Sequence, residues 1–239
     1  MYQAEPSLRR EVMAADALPE ERVDFIRKTY LHLGLAILAF VGLEAFILNT
    51  PAIHEPILNF AFGGRYNWLI VIGLFMLAGV VAQSWARNSR SMGMQYAGLL
   101  LYTLIEALIF VPILFIATRF PQFEGVLTQA AMITAVIFGG LTAIVFLTKS
   151  DFSWMRQMLG VCMLAAFGIG VASIIFGFTL GIVYSAAVAV LAAGYILYYT
   201  SNVLHHYPIG SHVAAALNLF AAVALLFWYV IRILMSARR

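Results

Sequence analysis

Seven runs of apolar residues constrain this chain more than any other feature. Each is close to the ~20 residues that a helix needs to cross a ~30 Å hydrocarbon core. They fall at Thr29–Leu48, Asn67–Ser84, Tyr96–Thr118, Val126–Leu147, Leu159–Gly177, Leu180–Leu204 and Val213–Leu234. Turn-forming or charged clusters separate them, among them Asn49-Thr-Pro51, Phe62-Gly-Gly-Arg65, Arg119-Phe-Pro121 and Lys149-Ser-Asp151. The strands of a lipid-exposed barrel would instead alternate polar and apolar residues over roughly ten positions. The expected fold is an all-α membrane protein, a seven-transmembrane-helix bundle. Residues 1–28 form a cytoplasmic N-terminal tail, 29–234 the membrane domain and 235–239 a short C-terminal tail. Composition agrees, with 63% hydrophobic and 10% charged residues among 239. No water-soluble fold hides that much apolar surface.

Lysine and arginine placement orients the bundle. With the N-terminus inside, Arg9, Arg10, Arg22, Arg27, Lys28, Arg87, Arg90, Lys149 and Arg156 all lie inside, and the outer loops hold only Arg65 and Arg119. That bias predicts a cytoplasmic N-terminus. Seven crossings then put Arg238 and Arg239 outside, against the same rule. The weak break Phe176-Gly-Phe-Thr-Leu-Gly181 leaves little room for a long loop. Seven crossings remain the expectation. The first 28 residues hold five basic and six acidic residues without an apolar core, so no signal peptide is expected there. Gly168-Ile-Gly170, Gly177-x-x-x-Gly181 and Ser185-Ala-Ala-Val-Ala189 are expected to mark close helix packing.

Several chemistries lack their residues. A net charge of +3, spread along the loops, supplies no basic stripe for nucleic acid. A retinal-type Schiff base needs a lysine within a span, and Lys28 and Lys149 lie at span ends. Neither a His-Glu-x-x-His zinc motif nor a rhomboid-like Gly-x-Ser-Gly nucleophile is present. His205, His206 and His212 cluster between the last two spans, where interfacial solvation is the simpler expectation than a metal site. Cys162, the single cysteine, is expected to be a small packing residue. The chain is read as a non-enzyme without cofactor or metal.

Ionisable groups inside a span are expensive and become functional candidates by default. Glu44, four residues from the outer end of its span, is expected to snorkel toward water. Glu106 has no such exit, being ten residues, or ~15 Å, into the third span. Tyr102 precedes it by one turn on the same face, and Pro112 can kink the helix beyond it. A carboxyl out of water costs far less neutral than charged. Glu106 is therefore a proton-linked candidate, and a hydrogen-bonded structural carboxyl is the equally weighted alternative.

The stretch Leu197-Tyr-Tyr-Thr-Ser-Asn-Val-Leu204 resembles the sixth-span signature of the Bax inhibitor, or transmembrane Bax inhibitor motif, family. Phe25-Ile-Arg-Lys-Thr-Tyr-Leu-His-Leu-Gly34 is similar to that family's entry into span one, and Tyr102 through Leu114 to its third span. Ala215-Ala-Leu-Asn-Leu-Phe220 with Arg232-Ile-Leu234 looks like its last. The resemblance implies two activities. One is a pH-sensitive calcium leak gated by aspartates on spans six and seven. The other, in bacterial YccA-type members, is modulation of an FtsH-type membrane-anchored ATP-dependent protease. Where the channel members carry those aspartates, this chain has Tyr199 and Ala222. A phenol and a methyl group cannot replace the anionic oxygens that calcium prefers.

These departures rank a regulatory partner of membrane protein quality control first, in a bacterial inner membrane. A proton or cation leak titrated by Glu106 stands second. Thr200, Ser201 and Asn202 are expected to lock span six into the bundle. A centrally packed last span would let Ala222, ~14 Å deep, make room for Glu106. Asn218, Tyr198 and Tyr199 would then be further polar partners of that carboxyl.

Overall fold

The computed structural model describes residues 12–88 and 91–238. Eight helices follow in order: α1 Pro19–Leu48, α2 Pro51–Phe62, α3 Asn67–Ala86, α4 Met92–Arg119, α5 Val126–Thr148, α6 Met155–Phe176, α7 Ile182–His205 and α8 His212–Ala237. All but α2 are long and apolar enough to cross a membrane. The protein is a multi-pass helical membrane bundle, as the apolar runs predict. The chain enters α1 at one end, here the N-terminal face, and seven crossings leave α8 at the far face.

Two boundaries differ from expectation. Helix α1 begins ten residues before the predicted span, because Pro19 in its first turn and Glu20 and Glu21 beside it suit a helix start. Helix α2 was hidden among punctuation. Pro51 starts it, and Pro56 interrupts an otherwise apolar stretch too short to span. It packs over α1 and α4 at the far face.

Helix α8 is the axis of the fold, packing against α1, α3, α4, α5 and α7. The residues from Val213 to Phe220 are all buried, mostly alanine and leucine, so neighbouring backbones can close around them. Phe40 of α1, Phe110 of α4 and Phe220 of α8 meet edge to face, with centroids 5.1 and 6.0 Å from Phe40. Helix α6 is the opposite case, with only Leu159 buried. Cys162 is accordingly exposed on α6 and packs no core.

The expected small-residue contacts are mostly elsewhere. A Cβ at Gly168 or Gly181 would meet nothing within 4 Å, and one at Gly170 only the Tyr184 hydroxyl, at 3.3 Å. Gly177 has φ +77° and closes α6 as a left-handed cap, with the Arg65 guanidinium against it. Close approach occurs at Gly98, where a Cβ would lie 2.5 Å from the Ala82 carbonyl oxygen and 2.6 Å from the Ala86 nitrogen. Gly194 is similar, facing the Leu159 side chain at 2.8 Å.

The ends are tied down. At the N-terminal face the Ala14 amide donates to the Tyr207 carbonyl (2.9 Å), and the Ile209 amide to the Val12 carbonyl (2.9 Å). The Arg22 guanidinium also donates to the Leu204 carbonyl, at 2.9 Å. At the far face Arg238 donates to the Glu124 carbonyl and, at 2.9 Å, to the Gln129 side chain. The C-terminal charge that opposes the orientation rule thus holds α8 to the start of α5.

Candidate functional site

Glu106 faces inward from α4 and is 6% exposed. Tyr102, one turn earlier, lies within hydrogen-bond reach of its carboxyl, while Oε2 has no partner among the described residues. Ring contacts fix the depth. Tyr102 meets Phe220 at 6.2 Å, and Phe110 meets Trp228 at 4.9 Å. Glu106, midway between those α4 positions, therefore faces the Ala222–Leu225 stretch of α8. Ala222 is buried at that level.

The remaining candidates divide. Tyr199 stacks on Tyr195 (5.6 Å) and meets Tyr198 at a tilt (5.1 Å). It is in electrostatic range of both Tyr102 and Tyr207. Asn218 takes a different partner from the one expected, donating to the Tyr207 hydroxyl at 2.7 Å. The Asn202 backbone carbonyl accepts from the amides of His206 and Tyr207 and closes α7. Tyr102 on α4, Tyr199 on α7 and Tyr207 in the α7–α8 connection are thus polar groups spaced between the level of Glu106 and the N-terminal face, with no hydrogen bond joining Tyr199 to either of the other two among the described residues. Tyr207 lies in the α7–α8 connection, where burial first, against its bond from Asn218, pushes its phenol up to about 12. It stays protonated near neutrality and can both donate and accept.

Glu44 corrects the snorkelling expectation. It is 5% exposed, on the α1 stripe with Phe40 and Ile47 that faces the bundle. Neither carboxyl oxygen has a partner among the described residues. Helix α2, unseen in the sequence, packs against α1 and α4 at the far face. The bundle therefore buries two carboxyls, with the Phe40–Phe110 contact between their levels.

The Thr-Ser-Asn run joins helices at the N-terminal face. Ser201 Oγ accepts from the Phe152 amide (2.9 Å) and lies 3.3 Å from the Ser150 carbonyl. Thr200 and Thr142 of α5 are both within reach of the Tyr30 hydroxyl. The three hydroxyls converge without a hydrogen bond among the described residues.

Sequence reasoning missed the pair beside this run. Asp151 Oδ2 lies 2.9 Å from His206 Nε2, joining the α5–α6 and α7–α8 connections. The signal was available, since the charge bias puts both connections on one side. His206 is paired rather than merely solvated. His212, also expected to be solvated, packs its ring 4.8 Å from that of His32. Among the described residues no three histidine, cysteine or acidic side chains gather to hold a metal.

Slight desolvation pushes the Asp151 carboxyl up, but bonds from Ser153 and His206 outweigh it and hold it at about 2, below the ordinary 3.8. A depressed folded value stabilises the connection above about 3.8, and that stabilisation is lost as pH falls toward about 2. Asp151→Asn should abolish this acid-sensitive step. Asp151→Ala, which removes the acceptor as well, should also speed amide exchange at Ser153, whose amide donates 2.8 Å to Asp151 Oδ1. Unchanged exchange would show that the pair holds nothing.

Comparison with known proteins extends the resemblance to most of the chain. The family model described as "Inhibitor of apoptosis-promoting Bax1" matches residues 22–239. An uncharacterized protein of Pseudomonas aeruginosa is 28% identical over 225 residues, 93% of this chain and 94% of that protein. Protein lifeguard 4 of Mus musculus is 24% identical over 237 residues, covering 94% and 90%. An uncharacterized protein of Campylobacter jejuni is 28% identical over 204 residues, covering 75% and 86%.

Proposed function

The chain belongs to the Bax inhibitor family, and from that premise we propose a non-catalytic membrane regulator whose state follows protonation of Glu106. Its setting is a bacterial inner membrane with the N-terminus cytoplasmic, in keeping with the lysine and arginine bias. The observation that carries the reading is the buried Glu106 oxygen without a partner among the described residues, with Tyr102, Tyr199 and Tyr207 spaced between it and one face. Water bridging these groups would let the carboxyl exchange a proton with that face. Helix α8 is the element able to respond, because it touches five other helices. Protons or monovalent cations are the proposed permeant species, in a pH-sensitive leak. Tyr199 and Ala222, in place of the aspartates that the resemblance implies for channel members, argue against calcium. Reconstitution into dye-loaded vesicles tests this: acid-dependent proton or potassium flux with little calcium flux is expected. Robust calcium flux, or no flux at any pH, contradicts it.

A second reading, modulation of an FtsH-type membrane-anchored protease, is favoured by one contact. Residues 12–14 are bridged to the α7–α8 connection, so a partner that grips the tail would sense the state of α8. Deleting Met1–Ala17 should lengthen cellular half-life where that protease is active. An unchanged half-life counts against it.

A further inference from the structure

A cleft of about 920 Å³ lies among α3, α4, α6, α7 and α8, near the top of the ~300–1,000 Å³ range of small-molecule sites. Leu225 and Ser236 of α8 mark its extent. They are eleven residues, or ~16 Å, apart on the helix, comparable to the ~15 Å that one leaflet contributes to the hydrocarbon core. Its walls are overwhelmingly apolar, including Trp68, Phe75, Ile113 and Trp228. One cation, Arg232, lines it toward the far face.

We propose that this cleft is a binding site for an anionic phospholipid of the far-face leaflet. The lipid phosphate pairs with Arg232, and one acyl chain lies along the cleft toward Glu106. Three observations converge on that occupant. Arg232 is part-buried and five residues, about 8 Å, before the end of α8, at the level where basic side chains meet anionic headgroups. Arg232 has the Tyr229 ring 5.5 Å from its guanidinium, and no carboxylate lies within ion-pair distance of it among the described residues. A phosphate at the membrane boundary supplies the missing charge in the planar, two-pronged geometry that guanidinium favours.

The second observation is the cleft's emptiness of protein. Helix α6 presents Gly160, Met163, Ala166, Phe167 and Gly170 to it at helical spacing, yet buries only Leu159. The third is chemistry: a lining this apolar repels water, and the surrounding solvent consists of acyl chains. The headgroup gives the site its selectivity, since burial of a chain already in lipid supplies little drive. The inference concerns Arg232 and the cleft, and stands whether or not Glu106 exchanges a proton.

The test uses the full-length protein in detergent, titrated with dioleoyl phosphatidylglycerol or dioleoyl phosphatidylcholine and read by native mass spectrometry. One phosphatidylglycerol should be retained at least about tenfold more tightly than phosphatidylcholine, equal to about 1.4 kcal/mol. Arg232→Gln should erase that preference, while Arg119→Gln, a far-face arginine outside the cleft, should keep it. Ala166→Phe, which retains Arg232 but obstructs the chain, should weaken binding of both lipids. Equal retention of the two lipids by the unaltered protein would overturn the proposal. So would an intact preference in Arg232→Gln, unchanged binding in Ala166→Phe, or displacement of the lipid by inorganic phosphate.

Discussion

Gly98→Ala should unfold at a clearly lower temperature than the unaltered protein, although alanine is the better helix former. Alanine in a helix interior is worth up to about 1 kcal/mol over glycine. At Gly98 the new methyl group would sit 2.5 Å from one backbone atom of α3 and 2.6 Å from another. Backbone cannot rotate aside as a side chain can, so α3 and α4 must separate along their shared face. Overpacking of this kind costs about 1–3 kcal/mol, enough to reverse the propensity gain. For a chain of this size each kcal/mol lost lowers the midpoint by about 2–4 °C. Gly139→Ala and Gly168→Ala are the matched controls, because a Cβ at either meets nothing within 4 Å. Those two should hold or raise the midpoint. A Gly98→Ala midpoint equal to theirs would mean that the α3–α4 contact is looser than described.

Glu106→Gln should separate fold from function. Glutamine keeps the volume and an oxygen that can accept from Tyr102, so the bundle should assemble with a nearly unchanged midpoint. Proton-linked behaviour should vanish, since an amide does not titrate in the accessible range. Glu106→Ala is the harsher change. It leaves Tyr102, 7% exposed, without its carboxyl and extends the cleft into the core. An unsatisfied buried donor costs about 1–3 kcal/mol. The expected order of midpoints is therefore unaltered protein, then Gln, then Ala, whereas both variants lose the pH response. A Gln variant that retained the full response would move the titrating role elsewhere, with Glu44 the first alternative.

The spans were legible because lipid imposes one local rule: about twenty apolar residues per crossing. Each of the seven runs became a helix with small shifts at its ends, largest at Pro19. Helix α2 was not legible, since twelve residues with an internal proline read as a loop. That omission bears on Glu44, since α2 packs against α1 at the face where the carboxyl was expected to reach water. Burial of Glu106 was inferable from its depth along one helix. The partner of Asn218 was not, because Tyr207 approaches through a connection whose path only tertiary packing sets. The glycines teach the same distinction. Gly168 and Gly170 carry a packing pattern on a helix that buries only Leu159, while at Gly98, isolated in its sequence, an added Cβ would overlap the backbone of α3.

The central claim is that Glu106 takes up and releases a proton within the folded bundle. Infrared difference spectroscopy of the reconstituted protein across a pH titration tests it most directly, with Glu106→Gln and Glu44→Gln measured alongside. The account predicts a protonated-carboxyl band that changes with pH, persists in Glu44→Gln and disappears in Glu106→Gln. A band that never changes with pH, or one that survives in Glu106→Gln, would contradict it.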